Sequence, residues 1–351
     1  MMEFYPVFRD GRAQSYVRTF GDYFEVFNGS SSEHYLWSGE SGFKVVNKGS
    51  FFTMVYEDYL NPSFEFREES IEKRLLEAEK SLRNILDGKL VMADLSGGKD
   101  STAQLILLTQ LQEKINFKLV AVYVHVPYLE PLENISFVER VATRLGVELE
   151  VIEADRKMVE FYLLREGLPK RGVRWCTYLK SKALRLECKR LGADFEAKGD
   201  RMLESGKRMN KLRDWASNSS FIKGKTLNLV YDFSAFETAN IVKREGLIHP
   251  HYLQGIPRIS CRFCPYRGLY ELAASSNQEV EDIGLIEFAG RRSYEKYFSG
   301  ITSWDLFWEL ALWRYPPSIA RMRLREIRNI DYTKSIPLIR AREMFRSMWL
   351  Y

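Results

Sequence analysis

The pattern of hydrophobic and polar positions divides the chain into a strand-rich first part and a longer part in which strands and helices alternate. In residues 1–65, short aromatic and β-branched runs such as 23–27 and 51–56 are separated by turns rich in Gly, Ser and Asn. An apolar stripe with helical spacing follows over 69–86 and ends before Gly88. The pattern predicts a small β-rich unit and then a helix.

From residue 90 the alternation of elements is regular. Continuous apolar runs predict three strands, at 90–95, 119–126 and 149–152. Stretches with helical character predict helices at 102–112, 137–145 and 177–191, and most of the chain from 279 onward. Continuous apolar strands joined by helices are typical of a parallel sheet covered on both faces. We therefore expect an α/β fold with a Rossmann-like parallel sheet, and domains at 1–65 (small and β-rich), 66–275 (α/β, catalytic) and 276–351 (helical and basic).

Composition excludes several classes of protein. The 351 residues are 45% hydrophobic and 28% charged, which is ordinary for a folded chain and argues against global disorder. The first residues lack a basic start followed by an apolar stretch, and no apolar run reaches about 18 residues. These features predict neither a leader peptide nor a membrane span, and they favour a cytoplasmic protein.

The net charge of +5 is unevenly distributed. Residues 321–351 carry eight basic and three acidic side chains, which equals the whole excess. A basic end of this kind can bind the phosphate backbone of a nucleic acid, although a solvated helical face has the same composition.

The segment Ser96-Gly97-Gly98-Lys99-Asp100-Ser101 lies between a predicted strand and a predicted helix. In this position backbone amides and the helix dipole form an anion site, glycine removes the Cβ obstruction, and Lys99 adds a positive charge. The segment does not match the Walker A loop, because Ala93 and Asp100 stand where that loop has Gly and Ser or Thr.

The loop resembles the PP-loop of the ATP pyrophosphatase superfamily, whose fold is called adenine nucleotide alpha hydrolase-like. The resemblance implies that residues 96–101 hold the β- and γ-phosphates of ATP while the α-phosphorus is attacked, so that AMP is transferred and pyrophosphate is released. Lys99 would stabilise the departing pyrophosphate, and Asp100 would act through Mg²⁺.

Three further motifs narrow the family. They are Arg174-Trp175-Cys176-Thr177 with Lys180, Gly199-Asp200-Arg201 with Arg208, and His249-Pro250-His251-Tyr252 with Cys261 and Cys264. In this order they resemble the phosphoadenosine phosphosulfate reductase family, over about residues 89–270. The loop is intact and no cysteine follows Cys264, which resembles the ATP-using branch rather than the true reductases. The resemblance implies catalytic roles for Arg174 and Arg201, and nucleotide contacts for Lys180, Gly199 and Arg208. Relatives have an Asp at the end of the second strand of the sheet, where this chain has His125. His125 is either a catalytic group or a histidine at the strand end whose hydrogen bonds are satisfied within the protein.

Cys261 and Cys264 have the spacing of zinc or iron–sulfur ligands. Cys176 and Cys188 would lie about 18 Å apart on one helix, so only one of them can join a common centre. The family motif favours Cys176, which leaves Cys188 as a small apolar residue. A 4Fe-4S cluster, Zn²⁺ held also by His249 or His251, and a metal-free redox pair remain open.

The sequence therefore predicts an ATP-dependent sulfurtransferase whose acceptor is tRNA, DNA or a metabolite. Two alternatives remain, namely an amide-forming ligase with structural zinc and a non-catalytic ATP-binding accessory protein. Expected partners are ATP, a nucleic acid bound by the basic C-terminal segment, a sulfur-donor protein and a second copy of the chain.

Overall fold

The computed structural model describes residues 3–45, 71–218, 220–327 and 332–351. The strand predicted at 51–56, the domain boundary at 65 and Arg328 lie outside these ranges. The first five strands form an antiparallel meander, each paired with the next along the chain: β1 (Tyr5–Arg9), β2 (Arg12–Phe20), β3 (Tyr23–Phe27), β4 (Ser32–Ser38) and β5 (Ser41–Val45). This meander confirms the β-rich unit.

The second sheet follows the predicted alternation of strands and helices. Its strands are β6 (Leu90–Asp94), β7 (Lys118–His125), β8 (Glu148–Glu153), β9 (Phe195–Ala197), β10 (Ile222–Lys223) and β11 (Thr226–Leu227). Every pair in it is parallel except β10 with β11. The central strands β6 and β7 are buried along nearly their whole length, which explains their continuous apolar sequence.

Helices cover this sheet and fill the C-terminal part of the chain. In chain order they are α1 (Ile71–Leu86), α2 (Lys99–Gln112), α3 (Glu133–Leu145), α4 (Arg156–Glu166), α5 (Trp175–Leu191), α6 (Gly206–Asn218), α7 (Ala235–Arg244), α8 (Pro250–Leu253), α9 (Leu269–Ala274), α10 (Ile283–Tyr297), α11 (Trp304–Glu309), α12 (Pro317–Ile327) and α13 (Leu338–Leu350). Among the described residues no helix is both long and apolar enough to cross a membrane. The α/β fold class predicted from the sequence is confirmed.

One element of the C-terminal region was not predicted. Strand β12 (Tyr332–Pro337) pairs antiparallel with β5 and completes the first sheet. The chain ends on α13, which packs against β1 and β12. The β-rich unit is therefore completed by residues from the opposite end of the chain, a contact without a local sequence signal.

Strand order determines where a ligand can bind. The second sheet has the order β10-β11-β9-β6-β7-β8, so the chain leaves β6 toward β7 and β8 and later returns to the other side of β6. Parallel α/β sheets bind ligands beyond the carboxyl ends of their strands where the order reverses in this way. Here that point lies between β6 and β9.

Asp22, in the turn before β3, joins the β-rich unit to the C-terminal region. Its buried carboxylate accepts from Arg314 and Arg323, and the Tyr315 hydroxyl donates to it at 3.2 Å. Burial alone would raise the pKa of Asp22, but the two guanidinium groups outweigh it and lower the pKa to about 2. Because the folded pKa is depressed, this stabilisation is present above the usual carboxyl range and is lost as the pH falls toward 2.

We expect Asp22→Asn to lower the free energy of unfolding by about 3 kcal/mol, because it leaves two buried arginines without their shared carboxylate. Asp214→Asn is the matched control, since Asp214 pairs with Lys223 at 3.0 Å on the surface and its side chain is 69% exposed. Asp214→Asn should lower the free energy of unfolding by no more than about 1 kcal/mol. Urea unfolding at pH 7 measures both, and equal losses would contradict the prediction.

Candidate functional site

The segment 96–101 joins the end of β6 to the start of α2, at the point where the strand order reverses. Gly97 has a φ of +76°, and a Cβ on it would lie 3.4 Å from Phe137 and Val138. Gly98 is the N-cap of α2 and has no side chain to occupy the first-turn amides. The backbone therefore requires glycine at position 97, and the helix start at Gly98 is suited to an anion.

Hydroxyl groups fix the shape of this loop. The amide of Ser96 donates to the Ser101 hydroxyl at 3.0 Å, and the two serine oxygens lie 2.9 Å apart. The Ser101 hydroxyl also bonds the Gly98 carbonyl at 3.1 Å. The amide of Lys99 donates to the hydroxyl of Tyr252 at 2.8 Å. The third motif of the sequence thus contacts the loop directly.

Asp100 faces protein groups. Its carboxylate lies 2.8 Å from Arg201 Nε and 3.1 Å from Lys99 Nζ, and the Thr238 hydroxyl donates to it at 2.8 Å. Burial alone would raise the pKa of Asp100, but the charges of Arg201 and Lys99 outweigh it and hold the pKa well below its usual range. This ionised carboxylate is occupied by protein donors, which does not fit a Mg²⁺ ligand, so we derive no step through the metal. Arg201 itself is buried and contacts the loop through Asp100.

Gly199 and Arg208 follow β9 on the other side of the reversal point. A Cβ on Gly199 would lie 2.7 Å from the Asp100 carbonyl oxygen, so only glycine permits this close approach to the loop. Arg208 pairs with Asp200 and lies 3.1 Å from Glu204. It is about one-third exposed and borders the cavity described next.

A cavity of about 310 Å³ opens at this edge of the sheet. It brings together most of the predicted nucleotide-binding residues, including Ser96, Gly98, Lys99, Asp100, Ser101, Lys180, Gly199, Arg201 and Arg208. Asp94, which the sequence did not single out, also lines it, and one of its carboxyl oxygens is buried without a hydrogen-bond partner. Burial and the neighbouring Glu196 raise the pKa of Asp94 well above its usual range.

Glu130 is a second residue that the sequence did not single out. It is buried and accepts from Lys180 Nζ at 2.8 Å and from the Tyr123 hydroxyl at 2.9 Å. The thiol of Cys261 lies 3.5 Å from the same carboxylate. Glu130 therefore links a lysine of the cavity to the cysteine motif. An acidic residue shortly after the carboxyl end of a buried strand was the available signal.

The three predicted metal ligands, Cys176, Cys261 and Cys264, lie close enough in space to affect one another's pKa values. Burial and the nearby Cys264 raise the pKa of the Cys176 thiol to about 11. Burial, Glu130 and the other two cysteines raise the pKa of Cys261 well above its usual range. All four cysteines of the chain are free thiols, and Cys188 lies on α5 at the end away from Cys176.

The arrangement of these thiols bears on which centre they could hold. In the described part of the chain, no group of three or more His, Cys, Asp or Glu side chains is arranged to hold a metal ion. A zinc site would require its ligands to converge at about 2.3 Å from one atom. A 4Fe-4S cluster binds its cysteines through different irons and so needs neighbouring but not converging thiols. Cys176, Cys261 and Cys264 are neighbouring soft donors of the kind that either centre uses.

Arg174 lies at the rim of this cysteine group and not in the cavity. It is the N-cap residue of α5 and is exposed, and its guanidinium lies 4.8 Å from the ring centroid of Tyr266. Each of these two residues is two positions from a cysteine, Cys176 and Cys264 respectively. Arg174 is thus placed to contact a molecule that approaches the thiols from solvent.

His125 and the histidines of the third motif have protein partners. His125 Nε2 lies 3.1 Å from Glu281, as a buried strand-end residue. The His249 ring packs on Phe137 with 4.4 Å between centroids and lies behind Gly97. Burial, together with the charges of His251 and Arg140, lowers the pKa of His249 to about 2. His249 is therefore a neutral support of the loop.

His249 should make stability depend on pH. Below about pH 6.5 the histidine is protonated in the unfolded chain but stays neutral in the folded protein. The free energy of unfolding therefore falls by up to about 1.4 kcal/mol for each pH unit below that value. His249→Asn keeps an acceptor for the His251 amide, which bonds Nδ1 at 3.2 Å, but it does not titrate. We expect urea unfolding at pH 7 and pH 5 to show a smaller decrease for this variant. An identical decrease would contradict this origin.

The basic C-terminal segment is only partly a charged surface. Arg323 is buried beside Asp22, Arg342 donates to the Ala274 carbonyl at 2.8 Å, and Arg340 pairs with Glu343 at 3.0 Å. Arg321, Arg325 and Arg346 are exposed. Tertiary packing therefore uses part of the positive charge that the sequence places in the C-terminal segment, and the exposed arginines remain available to a ligand.

Comparisons with known proteins bear on this site. The chain is 28% identical over 215 residues to an uncharacterized protein of Methanocaldococcus jannaschii, covering 60% of this chain and 50% of that protein. It is 30% identical over 119 residues to the tRNA-cytidine(32) 2-sulfurtransferase of Methylobacillus flagellatus, covering 33% of this chain and 37% of the relative. The matches thus span half or less of the length of these curated relatives.

Among solved structures, the chain is similar to the U34-tRNA thiolase NcsA from Methanococcus maripaludis, which was solved with its 4Fe-4S cluster. The TM-score is 0.41 at 18% identity, covering 75% of this chain and 81% of the other. The family model for the phosphoadenosine phosphosulfate reductase domain matches residues 90–267, just over half of the chain. This range contains the loop, the cavity motifs and the three candidate ligands Cys176, Cys261 and Cys264, so the chain belongs to the phosphoadenosine phosphosulfate reductase domain family.

Proposed function

We propose that the chain is an ATP-dependent sulfurtransferase that splits ATP into AMP and pyrophosphate and replaces an oxygen of its acceptor by sulfur. The observation that carries the proposal is the connection from Lys180 in the cavity through Glu130 to Cys261, with contacts of 2.8 and 3.5 Å. One carboxylate thus joins a lysine of the cavity to a thiol of the cysteine group. A ligase that uses an amine acceptor would have no need of this arrangement.

The loop binds the β- and γ-phosphates of ATP, which leave as pyrophosphate. Backbone amides at the start of α2 and the ammonium of Lys99 would hold the β- and γ-phosphates, because helix starts and fixed cations favour anions. Lys99 is 5% exposed, so solvent screens its interaction with a bound phosphate only weakly. Charge that develops on pyrophosphate is stabilised by groups already in place, which is the main source of catalysis in phosphoryl transfer.

The reaction has two displacements that balance without a redox step. An acceptor oxygen bonds to the α-phosphorus, and the bond to pyrophosphate breaks. A hydrosulfide nucleophile then bonds to the activated carbon, and AMP leaves with the former acceptor oxygen. Cys176, Cys261 and Cys264 would hold a 4Fe-4S cluster, whose chemistry when bound is to present an iron open to a sulfur ligand. A sulfur-donor protein would supply the sulfur.

The proposed acceptor is a tRNA base. One relative is named as a tRNA sulfurtransferase, which supports this class of acceptor. Arg174 and Tyr266 are exposed beside the cysteines and combine a cation with an aromatic ring, a pair suited to a phosphate and a stacked base. Arg321, Arg325 and Arg346 would add contacts to the backbone. An enzyme that uses ATP and tRNA as substrates is expected to act in the cytoplasm.

The test is a product analysis with anaerobically purified protein. It is incubated with ATP labelled at the α-phosphate, hydrosulfide and tRNA from a strain that lacks this gene. We expect labelled AMP, released pyrophosphate and one new thiolated nucleoside detected by mass. The control uses tRNA from the strain that carries the gene, which should already be thiolated and should release little AMP.

Other outcomes decide between the alternatives. AMP formation that requires an amine and yields no thionucleoside would indicate a ligase. No AMP with tRNA, DNA or metabolite acceptors would indicate a non-catalytic nucleotide-binding protein. Either result would refute the proposed sulfur transfer.

A further inference from the structure

The first strand of the β-rich unit reaches the nucleotide cavity. Tyr5 in β1 lines the cavity, is 2% exposed, and donates its hydroxyl to the Pro257 carbonyl at 3.2 Å. Its ring centroid lies 5.7 Å from Lys99 Nζ, a distance at which a cation is attracted by the ring. Tyr5 lies far outside residues 90–267, the range matched by the family model. The cavity is therefore built in part by a segment outside the range that the family model matches.

Glu3 makes the second contact from the same segment. Its carboxylate lies 2.7 Å from Arg201 Nη1, and Arg201 Nε lies 2.8 Å from Asp100 in the loop. Asp100 in turn lies 3.1 Å from Lys99 Nζ. Four charges of alternating sign therefore connect the N-terminal segment to the lysine of the loop. Glu3 and Arg201 are almost completely buried, so solvent does little to screen their pairing.

Helix α7 contacts both carboxylates of this row of charges. The amide of Ala235, at the helix start, donates to Glu3, and Thr238 one turn later donates to Asp100 at 2.8 Å. A carboxylate at a helix start is stabilised by the helix dipole. The position of Glu3 is thus fixed by α7, and Glu3 fixes Arg201.

The charge of Glu3 determines how strongly Arg201 interacts with Asp100 in the loop. With Glu3 present, Arg201 is shared between two carboxylates, and the four charges cancel. Without the charge of Glu3, the buried guanidinium would have Asp100 as its one carboxylate partner among these four residues, and an uncompensated positive charge would remain beside Lys99. Buried charges that lose a partner are strongly unfavourable, so the loop would have to rearrange.

We propose that Glu3 is a positioning residue for the phosphate loop and that the N-terminal segment is part of the nucleotide site. The β-rich unit then has a function that its sequence did not disclose, because it sets the geometry of Asp100 and Lys99 through Arg201. The proposal rests on the proposed function in one respect, namely that the loop grips the β- and γ-phosphates.

The test compares two nucleotides on the full chain. ATP has the β- and γ-phosphates and AMP lacks them, so a defect transmitted through the loop should affect ATP alone. We expect Glu3→Gln to raise the Kd for ATP about tenfold, because the rearranged loop loses more contact with the outer phosphates than the added positive charge restores, and to leave the Kd for AMP within about twofold. Isothermal titration well below the melting temperature measures both constants. A general loss of structure would raise the Kd values for ATP and AMP together.

Glu25→Gln is the matched control. Glu25 is also buried in the first sheet and pairs with Arg18 at 2.6 Å, but it is not connected to the loop through the contacts described above. It should lower the melting temperature without changing the ratio of the two Kd values. If Glu3→Gln does not fold, Glu3→Asp keeps the charge with a shorter reach and should shift the ratio in the same direction by less.

The outcomes separate the two proposals. If the unmodified protein prefers ATP to AMP but the Glu3 variants keep that preference, the positioning role is wrong and the proposed function stands. If the unmodified protein binds AMP as tightly as ATP, the loop does not grip the outer phosphates and the proposed function itself fails.

Discussion

Replacing Lys99 with alanine should lower the rate of AMP formation from ATP by about two to three orders of magnitude. A single buried cation or donor that meets developing charge contributes on the order of 10²–10³ in rate, and Lys99 is 5% exposed in the cavity wall. The fold should survive, because Asp100 keeps Arg201 at 2.8 Å and Thr238 at 2.8 Å. The measurement is release of labelled AMP from ATP labelled at the α-phosphate, at saturating acceptor.

The control for this variant is Lys44→Ala. Lys44 pairs with Glu33 at 2.5 Å on the surface of the first sheet, so its loss removes one lysine charge without affecting the cavity. Its rate should stay within about twofold of the unmodified protein. A Lys99→Ala protein that forms AMP at the normal rate, or a normal protein that forms only ADP, would overturn the assignment of the loop.

Serine at Cys176, Cys261 or Cys264 should remove bound iron and abolish sulfur transfer. Each thiolate would bind a different iron of the cluster, and a serine hydroxyl is a poor replacement for it. We expect the visible absorption of the anaerobically purified protein to disappear in each variant, together with thionucleoside formation. Iron and sulfide analysis per chain gives the measurement independently of activity.

Cys188→Ser is the matched control for the cysteine variants. Cys188 lies on the same helix as Cys176 but about 18 Å away along the axis, so it cannot share their centre. It should keep its iron and its activity. Iron lost equally from the Cys188 variant, or zinc found in place of iron in the normal protein, would contradict the cluster.

Much of the fold was predictable because its signals are local. The apolar runs of β6, β7 and β8 predicted strands to within about two residues, and the Gly-Gly turn before α2 predicted the anion site. Other contacts have no such signal. Strand β12 joins the first sheet across nearly 300 residues of sequence, and its own pattern does not identify its partner.

The candidate site divides in the same way. The sequence predicted Lys180 and Cys261 from motifs, but not that Glu130 contacts both of them. It gave Arg201 a role toward phosphate, whereas the structure places this side chain between Asp100 and Glu3. An arginine has the same propensity whether its partner is a ligand or a distant carboxylate, so only the folded chain can distinguish the two.

The sequence by itself determined the parallel sheet, the Gly-Gly turn before α2 and the family, because backbone periodicity, the glycine requirement of a tight turn and short motifs act over a few residues. Only the tertiary structure decided which charges remain available to a ligand. Glu3 and Arg201 are 198 positions apart, and their pairing depends on burial and on the fixed start of α7. Electrostatic partners of this kind are set by packing between distant segments.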